Sequence, residues 1–312
     1  MDIVIPVLLL ITGFVLLIKG ADWFVDGSSK IADRFGISQL VIGLTIVAMG
    51  TSLPEAAVSI ASALKGNAGI TIGNVVGSNI MNILVILGLT AMVRAIPVQK
   101  STVRYEIPFM FFVTVLLAVL GLWDNRVNRL EGMVLWGFMI LYLLYLLKMA
   151  KGGDSQEEIP RMEKTGRVPK MLGMVVFGAV MIVIGSDVTV NAATELALLF
   201  RIDDRIIGLT IVAFGTSLPE LVTSVAAAWK GKADIAVGNI VGSNIFNILF
   251  VVGTSALITP VEYKADFLAD SIAAAAAAVL LLICVVQKRR LGRLGGAVML
   301  AGYAVYFMYL IR

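Results

Sequence analysis

Apolar residues run along this chain in blocks of about 20, separated by short polar intervals. Each block, wound as a helix, is long enough to cross about 30 Å of hydrocarbon. The breaks in the pattern predict ten spans, at roughly 3–25, 38–64, 69–93, 105–122, 130–150, 171–199, 206–229, 234–258, 267–287 and 294–311. The one long polar interval, Lys151 to Lys170, holds two prolines and mixed charges, and is expected to be a cytoplasmic linker. It is too short for a calcium-sensing domain and lacks EF-hand spacing. The first block follows Asp2 instead of a basic segment, with no small-residue cleavage site after it, so it is expected to be a retained helix.

Composition makes the bilayer the solvent. Of 312 residues, 59% are hydrophobic and 15% charged, and the mean hydropathy is +0.95; a soluble domain carries about 25% charged residues. The net charge of +4 could suggest an anionic partner. The basic residues sit in short loops beside apolar blocks, however, which is topological signal and implies no nucleic acid. With the N-terminus placed outside, 17 Lys and Arg fall in inner loops and 7 in outer segments. The positive-inside rule therefore puts both termini outside a cell membrane. There is no histidine, and Cys284 is the only cysteine, so a metal ion has to be held by oxygen.

The chain repeats itself. VIGLTIVAMGTSLPE at 41–55 returns as IIGLTIVAFGTSLPE at 206–220, and GNVVGSNIMNIL at 73–84 returns as GNIVGSNIFNIL at 238–249, both at an offset of 165. The offset also aligns Asp22 with Asp187 and Asp26 with Asn191. Residues 1–150 and 171–312 are thus two copies of five spans, joined by the linker at 151–170. An odd number of spans turns the second copy over, the inverted-repeat plan of secondary transporters.

Within span 2, Gly50-Thr-Ser-Leu-Pro-Glu55 interrupts an apolar helix. Pro54 removes a backbone donor and disturbs the preceding turn. A freed carbonyl, the hydroxyls of Thr51 and Ser52, and the Glu55 carboxylate then share one stretch; these are hard oxygen ligands of the kind that suit sodium and calcium. The same set returns at Gly215–Glu220. Two facing broken helices would bring Glu55 and Glu220 together near the midplane, where two bare carboxylates repel and at least one is expected to hold a proton unless a cation is present. On the following spans, Ser78 and Asn82 share a helix face, as do Ser243 and Asn247, and add neutral oxygens. Gly73, Gly77, Gly238 and Gly242 are expected to serve packing. Two charges with several neutral oxygens match one calcium or two sodium ions. A third sodium would make the exchange electrogenic.

The paired GTSLPE and GNxxGSNxxN motifs resemble the cation/calcium exchanger superfamily, and most of all its prokaryotic sodium/calcium exchanger branch. The resemblance covers essentially the whole chain. It implies an all-α integral membrane protein of ten helices in two inverted five-helix repeats, with broken spans 2, 3, 7 and 8 around a midplane ion site. Spans 1 and 6 would slide across that core to alternate access. Glu55 and Glu220 would be the shared ligands of calcium and sodium, with the carbonyls of Thr51 and Thr216 completing the calcium site. Sodium would also use Ala48, Thr51, Ser52 and Ser243 on one side, and Ala213, Thr216, Ser217 and Ser78 on the other. Asn82 and Asn247 would line the centre. Because relatives that depend on potassium or protons carry Asp at the position of Asn247, a potassium-independent exchanger is expected.

The same residues admit other readings. Paired glutamates could carry protons and make a calcium/proton exchanger, although the hydroxyl-rich shells fit sodium better. An intramembrane protease needs two close acids and a water, but not matched Thr, Ser and Asn shells; the chain reads as a transporter with no enzyme activity and no cofactor beyond the ions it carries. A monomer is sufficient for that task. Asp22, Asp26 and Asp187 are expected to solvate or cap helix ends. Ala273 to Ala278 reads as a small-residue packing face.

Overall fold

The computed structural model describes residues 3–66, 68–152, 167–200 and 213–310. In chain order its helices are α1 (Val4–Phe35), α2 (Gln39–Thr51), α3 (Leu53–Leu64), α4 (Gly69–Val93), α5 (Thr102–Asp124), α6 (Arg129–Lys151), α7 (Val168–Leu199), α8 (Ala213–Thr216), α9 (Leu218–Trp229), α10 (Ala233–Ile258), α11 (Phe267–Val286) and α12 (Arg293–Leu310). Among the described residues eight helices are long and apolar enough to cross a membrane, and α2 with α3, bent by 50°, makes a ninth. The expected span at 206–229 is seen only from Ala213 onward, and most of the expected linker lies outside the described residues.

α1 is longer than the apolar block that predicted it. It runs on past Asp22 and Asp26 to Phe35 and stops at Gly36, whose φ of 66° only glycine adopts freely. Its polar end is neutralised across the fold: Lys230 Nζ lies 3.1 Å from Asp22 and 3.0 Å from Asp26, and Lys232 lies 3.2 Å from Asp26. Asp22 and Asp26 are therefore tied by ion pairs, where the sequence suggested only solvation. Asp187, the repeat partner of Asp22, forms no ion pair among the described residues.

The breaks of spans 3 and 8 are corrected by the structure. Neither 69–93 nor 233–258 contains proline, and α4 and α10 each run on as one helix. Each instead widens to π-helix, at Asn82–Leu87 and Asn247–Val252. Such turns accommodate one extra residue without breaking the helix. α4 and α10 fill the centre of the bundle, and a core of buried Ile, Leu and Val joins them to α5, α6 and α11, with Ala274, Ala277 and Ala278 on the packed face of α11.

α1 and α7 lie together over a second core that includes Leu17, Phe24, Val25, Met171, Ile182 and Leu218. Their backbones touch at glycines. A Cβ on Gly20 would meet the Gly178 carbonyl at 2.9 Å, and one on Gly13 would meet the Gly185 carbonyl at 3.1 Å. In lipid, which competes with apolar side chains on equal terms, such close approach is what holds helices together.

Four two-residue strands close the ends. β1 (Ile96–Pro97) pairs with β4 (Arg290–Leu291), and β2 (Arg126–Val127) with β3 (Val261–Glu262), both antiparallel. Since β1 and β2 flank the membrane-length α5, the two clasps sit at opposite ends of the bundle. Each joins a strand of the first copy to one of the second.

Candidate ion-binding site

Pro54 and Pro219 occupy the first turns of α3 and α9, so each helix restarts one residue after a break at Ser52 or Ser217. Proline has no N–H for the carbonyl four residues earlier. In the second copy that carbonyl belongs to Gly215, and it accepts a hydrogen bond from Ser186 Oγ of α7 at 2.8 Å. The first-copy counterpart of Ser186 is Ala21, which has no hydroxyl. The restarted helices carry Glu55 and Glu220 in their first turns, both fully buried.

The two carboxylates act on each other electrostatically, and the Ser78 hydroxyl is a polar neighbour of Glu55. Glu220 is drawn into a cluster. Ser52 Oγ donates to Glu220 Oε1 at 2.8 Å, and Ser243 Oγ lies 3.5 Å from the same oxygen and 3.3 Å from the Ala48 carbonyl. This brings Ala48, Ser52 and Ser243, which the family resemblance assigns to one side of the site, together with the shared Glu220. On the other side, both oxygens of Glu55 and the Ser217 hydroxyl are buried without a hydrogen-bond partner among the described residues. Glu220 Oε2 and the side-chain oxygens of Asn82 and Asn247 are in the same condition. The backbone of Ala213 opens α8, and its side chain lies outside the described residues. Thr51 turns its hydroxyl to Asn239 Oδ1 at 2.9 Å and to Val47 O at 3.1 Å. Thr216 follows it at the end of α8.

Buried polar groups in a membrane ordinarily find partners, because an unpaired one costs several kcal/mol. Six unpaired oxygens among these residues form an acceptor-rich set with no N–H to complement it, which is the chemistry of a cation site. Among the described residues no three acidic or cysteine side chains gather in one place. An ion here would rely on two carboxylates and neutral oxygens.

The centre is framed by four asparagines to which the sequence reading gave no role. Asn79 Nδ2 donates to the Asn244 carbonyl and Asn244 Nδ2 to the Asn79 carbonyl, each at 3.1 Å. Asn82 donates to Asn244 Oδ1 at 2.9 Å, and Asn247 to Asn79 Oδ1 at 3.2 Å. Every bond thus has a counterpart with the copies exchanged. Asn74 holds the Glu55 carbonyl at 3.3 Å and Ser59 Oγ at 2.9 Å; Asn239 holds the Glu220 carbonyl at 3.4 Å and Ser224 Oγ at 3.0 Å. These amides fix α3 on α4 and α9 on α10, which orients both glutamates. Their signal was present, since all four lie in the repeated motif.

Comparison with known proteins follows the same outline. A family model described as sodium/calcium exchanger protein matches residues 5–148 and 170–312. Inner membrane protein YrbG of Escherichia coli is 41% identical, over 81% of this chain and 80% of its own. The putative antiporter CaxA of Alkalimonas amylolytica is 38% identical over 97% of both. A solved structure of the sodium-calcium exchanger NCX_Mj superposes with a TM-score of 0.84 at 33% identity, covering 99% of this chain and 100% of that one.

Proposed function

Since the chain belongs to the sodium/calcium exchanger protein family, and is a multi-pass membrane antiporter of the cation/calcium class, we propose that it exchanges sodium for calcium at the Glu55 and Glu220 centre. The observation that carries this reading is the pair of fully buried carboxylates surrounded by unpartnered neutral oxygens. Calcium binds between the two charges, with the Thr51 and Thr216 carbonyls completing its shell. Sodium ions take its place at two flanking positions, one using Ala48, Thr51, Ser52 and Ser243, the other Ala213, Thr216, Ser217 and Ser78. Both share the glutamates, so calcium and sodium cannot be held together and each displaces the other. Asn82 and Asn247 line the centre with neutral amides. Asn247 in place of an acid makes the exchange independent of potassium.

In this reading the chain has ten spans in two inverted repeats, 1–150 and 171–312, with both termini outside and a cytoplasmic linker at 151–170. The reciprocal asparagine bonds and the exchanged strand pairs support it. α1 and α7 slide as a unit over the core, which their separate packing layer and their glycine contacts favour. Two sodium ions balance the charge of one calcium, so a third sodium carried with them makes the cycle electrogenic, with about 2.3 kcal/mol per net charge per 100 mV.

The test is calcium-45 uptake into sodium-loaded proteoliposomes diluted into sodium-free buffer, for the wild type, Glu55→Gln and Glu220→Gln. The expected result is uptake that needs internal sodium and disappears in both variants. Uptake driven by an imposed pH gradient alone would make the protein a calcium/proton exchanger.

A further inference from the structure

A third buried acid lies away from the ion site. Glu106, at the cation-rich end of α5, is 1% exposed. The Tyr145 hydroxyl of α6 donates to its Oε1. Its Oε2 has no partner among the described residues, and neither does the buried hydroxyl of Tyr142, one turn before Tyr145. Both residues line a cavity of about 450 Å³ between α5 and α6. Its walls are apolar, formed by Pro108, Phe109, Phe138 and Leu141, and Leu141 is exposed on the outer face of α6. Arg104 stands at the rim, its guanidinium 5.5 Å from the Tyr105 ring centre.

We propose that this cavity binds an aminophospholipid, with the primary ammonium on Glu106 and Tyr142, the phosphate at Arg104, and an acyl chain along Phe138 and Leu141. Charge complementarity selects the occupant. An acid inside and a guanidinium at the rim match a zwitterion whose cationic end is small enough to enter first. Glu106 Oε2 calls for an N–H donor, which a primary ammonium has and a quaternary one lacks, and the Tyr142 hydroxyl oxygen can accept from the same ammonium. Leu141 places one apolar wall on the exposed face of α6, and a membrane acid with one oxygen left unpaired is costly. The repeat does not reproduce the site: Ser271 stands at the equivalent of Glu106. The cavity is thus a property of the first copy and is separate from ion exchange.

The test is native mass spectrometry of the purified, delipidated protein titrated with phosphatidylethanolamine, phosphatidylcholine or phosphatidylglycerol of matched chains. Wild type should retain phosphatidylethanolamine about tenfold more strongly than either of the others, the worth of one or two charge-assisted hydrogen bonds. Glu106→Gln should erase that preference. Leu141→Trp, which fills the groove without touching the acid, should weaken phosphatidylethanolamine retention and guards against a folding defect in the first variant. Equal retention of phosphatidylcholine, a preference for phosphatidylglycerol, or an unchanged preference in Glu106→Gln would each overturn the proposal.

Discussion

Glu55 and Glu220 sit in the same six-residue motif, yet their surroundings differ. Glu220 is held through Oε1 by Ser52 and Ser243 beside the Ala48 carbonyl, while its Oε2 has no partner among the described residues. Glu55 has neither oxygen hydrogen-bonded, and Ser217, the counterpart of Ser52, donates to nothing among the described residues. The rim repeats the inequality. Asp22 and Asp26 are clamped by Lys230 and Lys232, while Asp187 and Lys65 in the equivalent places form no ion pair among the described residues. Under the proposed exchange, a duplicated sequence with unequal contacts is what one end of an alternating-access cycle requires, each copy taking in turn the conformation the other has left. The Glu55 side holds more of the unpaired oxygens to which the proposed exchange assigns a cation.

The comparison can be broken by mutation. The largest effect is expected from Glu55→Gln and Glu220→Gln, each lowering sodium-dependent calcium uptake ~100-fold or more, since removing one member of a buried charged cluster costs roughly 3–5 kcal/mol. Uptake that survives one substitution would show that the two acids are not equivalent ligands. Gly178→Val comes next. A Cβ there would lie 2.6 Å from the Phe24 nitrogen, so the variant should slow turnover ~10-fold, through roughly 1–3 kcal/mol of overpacking, while calcium affinity measured by calorimetry stays within about twofold.

Smaller effects separate the two sides of the site. In sodium-free and calcium-free detergent, Ser52→Ala should cost ~1–2 kcal/mol in thermal unfolding, because it removes a bond to a buried acid. Ser217→Ala should stay within ~0.5 kcal/mol, having no bond to lose. Equal losses would erase the distinction. The smallest shift belongs to Lys230→Gln. Its ion pairs are partly solvated, so freeing the end of α1 should change the access of a thiol reagent to a cysteine placed at Ala21 by only about two- to fivefold.

Most of the architecture was legible because membrane length and exact repetition are written in the sequence directly. The apolar blocks locate the eight or nine membrane-length helices of the described residues, and the offset of 165 pairs Glu55 with Glu220 and Ser78 with Ser243. What stayed hidden depended on distant partners. The apolar block predicts α1 only to residue 25, because Lys30 and Arg34 read as loop; the ion pairs of Asp22 and Asp26 with Lys230 of the far copy hold the longer, part-solvated end. The π turns at Asn82 and Asn247 leave no compositional mark that separates them from α-helix. Asn74, Asn79, Asn239 and Asn244 stood in plain view in the motif, but an amide that bridges two carbonyls and one that binds an ion look alike until the fold brings the copies face to face.

The short strands have a consequence for how the protein is made. β1 is synthesised early and its partner β4 is almost the last element to leave the ribosome; β2 likewise waits for β3. Neither copy holds both strands of either clasp, so a nascent first copy enters the bilayer with two unpaired edges. Completion of the chain is what seals both ends, and two copies expressed as separate polypeptides would find each other through the same interlocking edges.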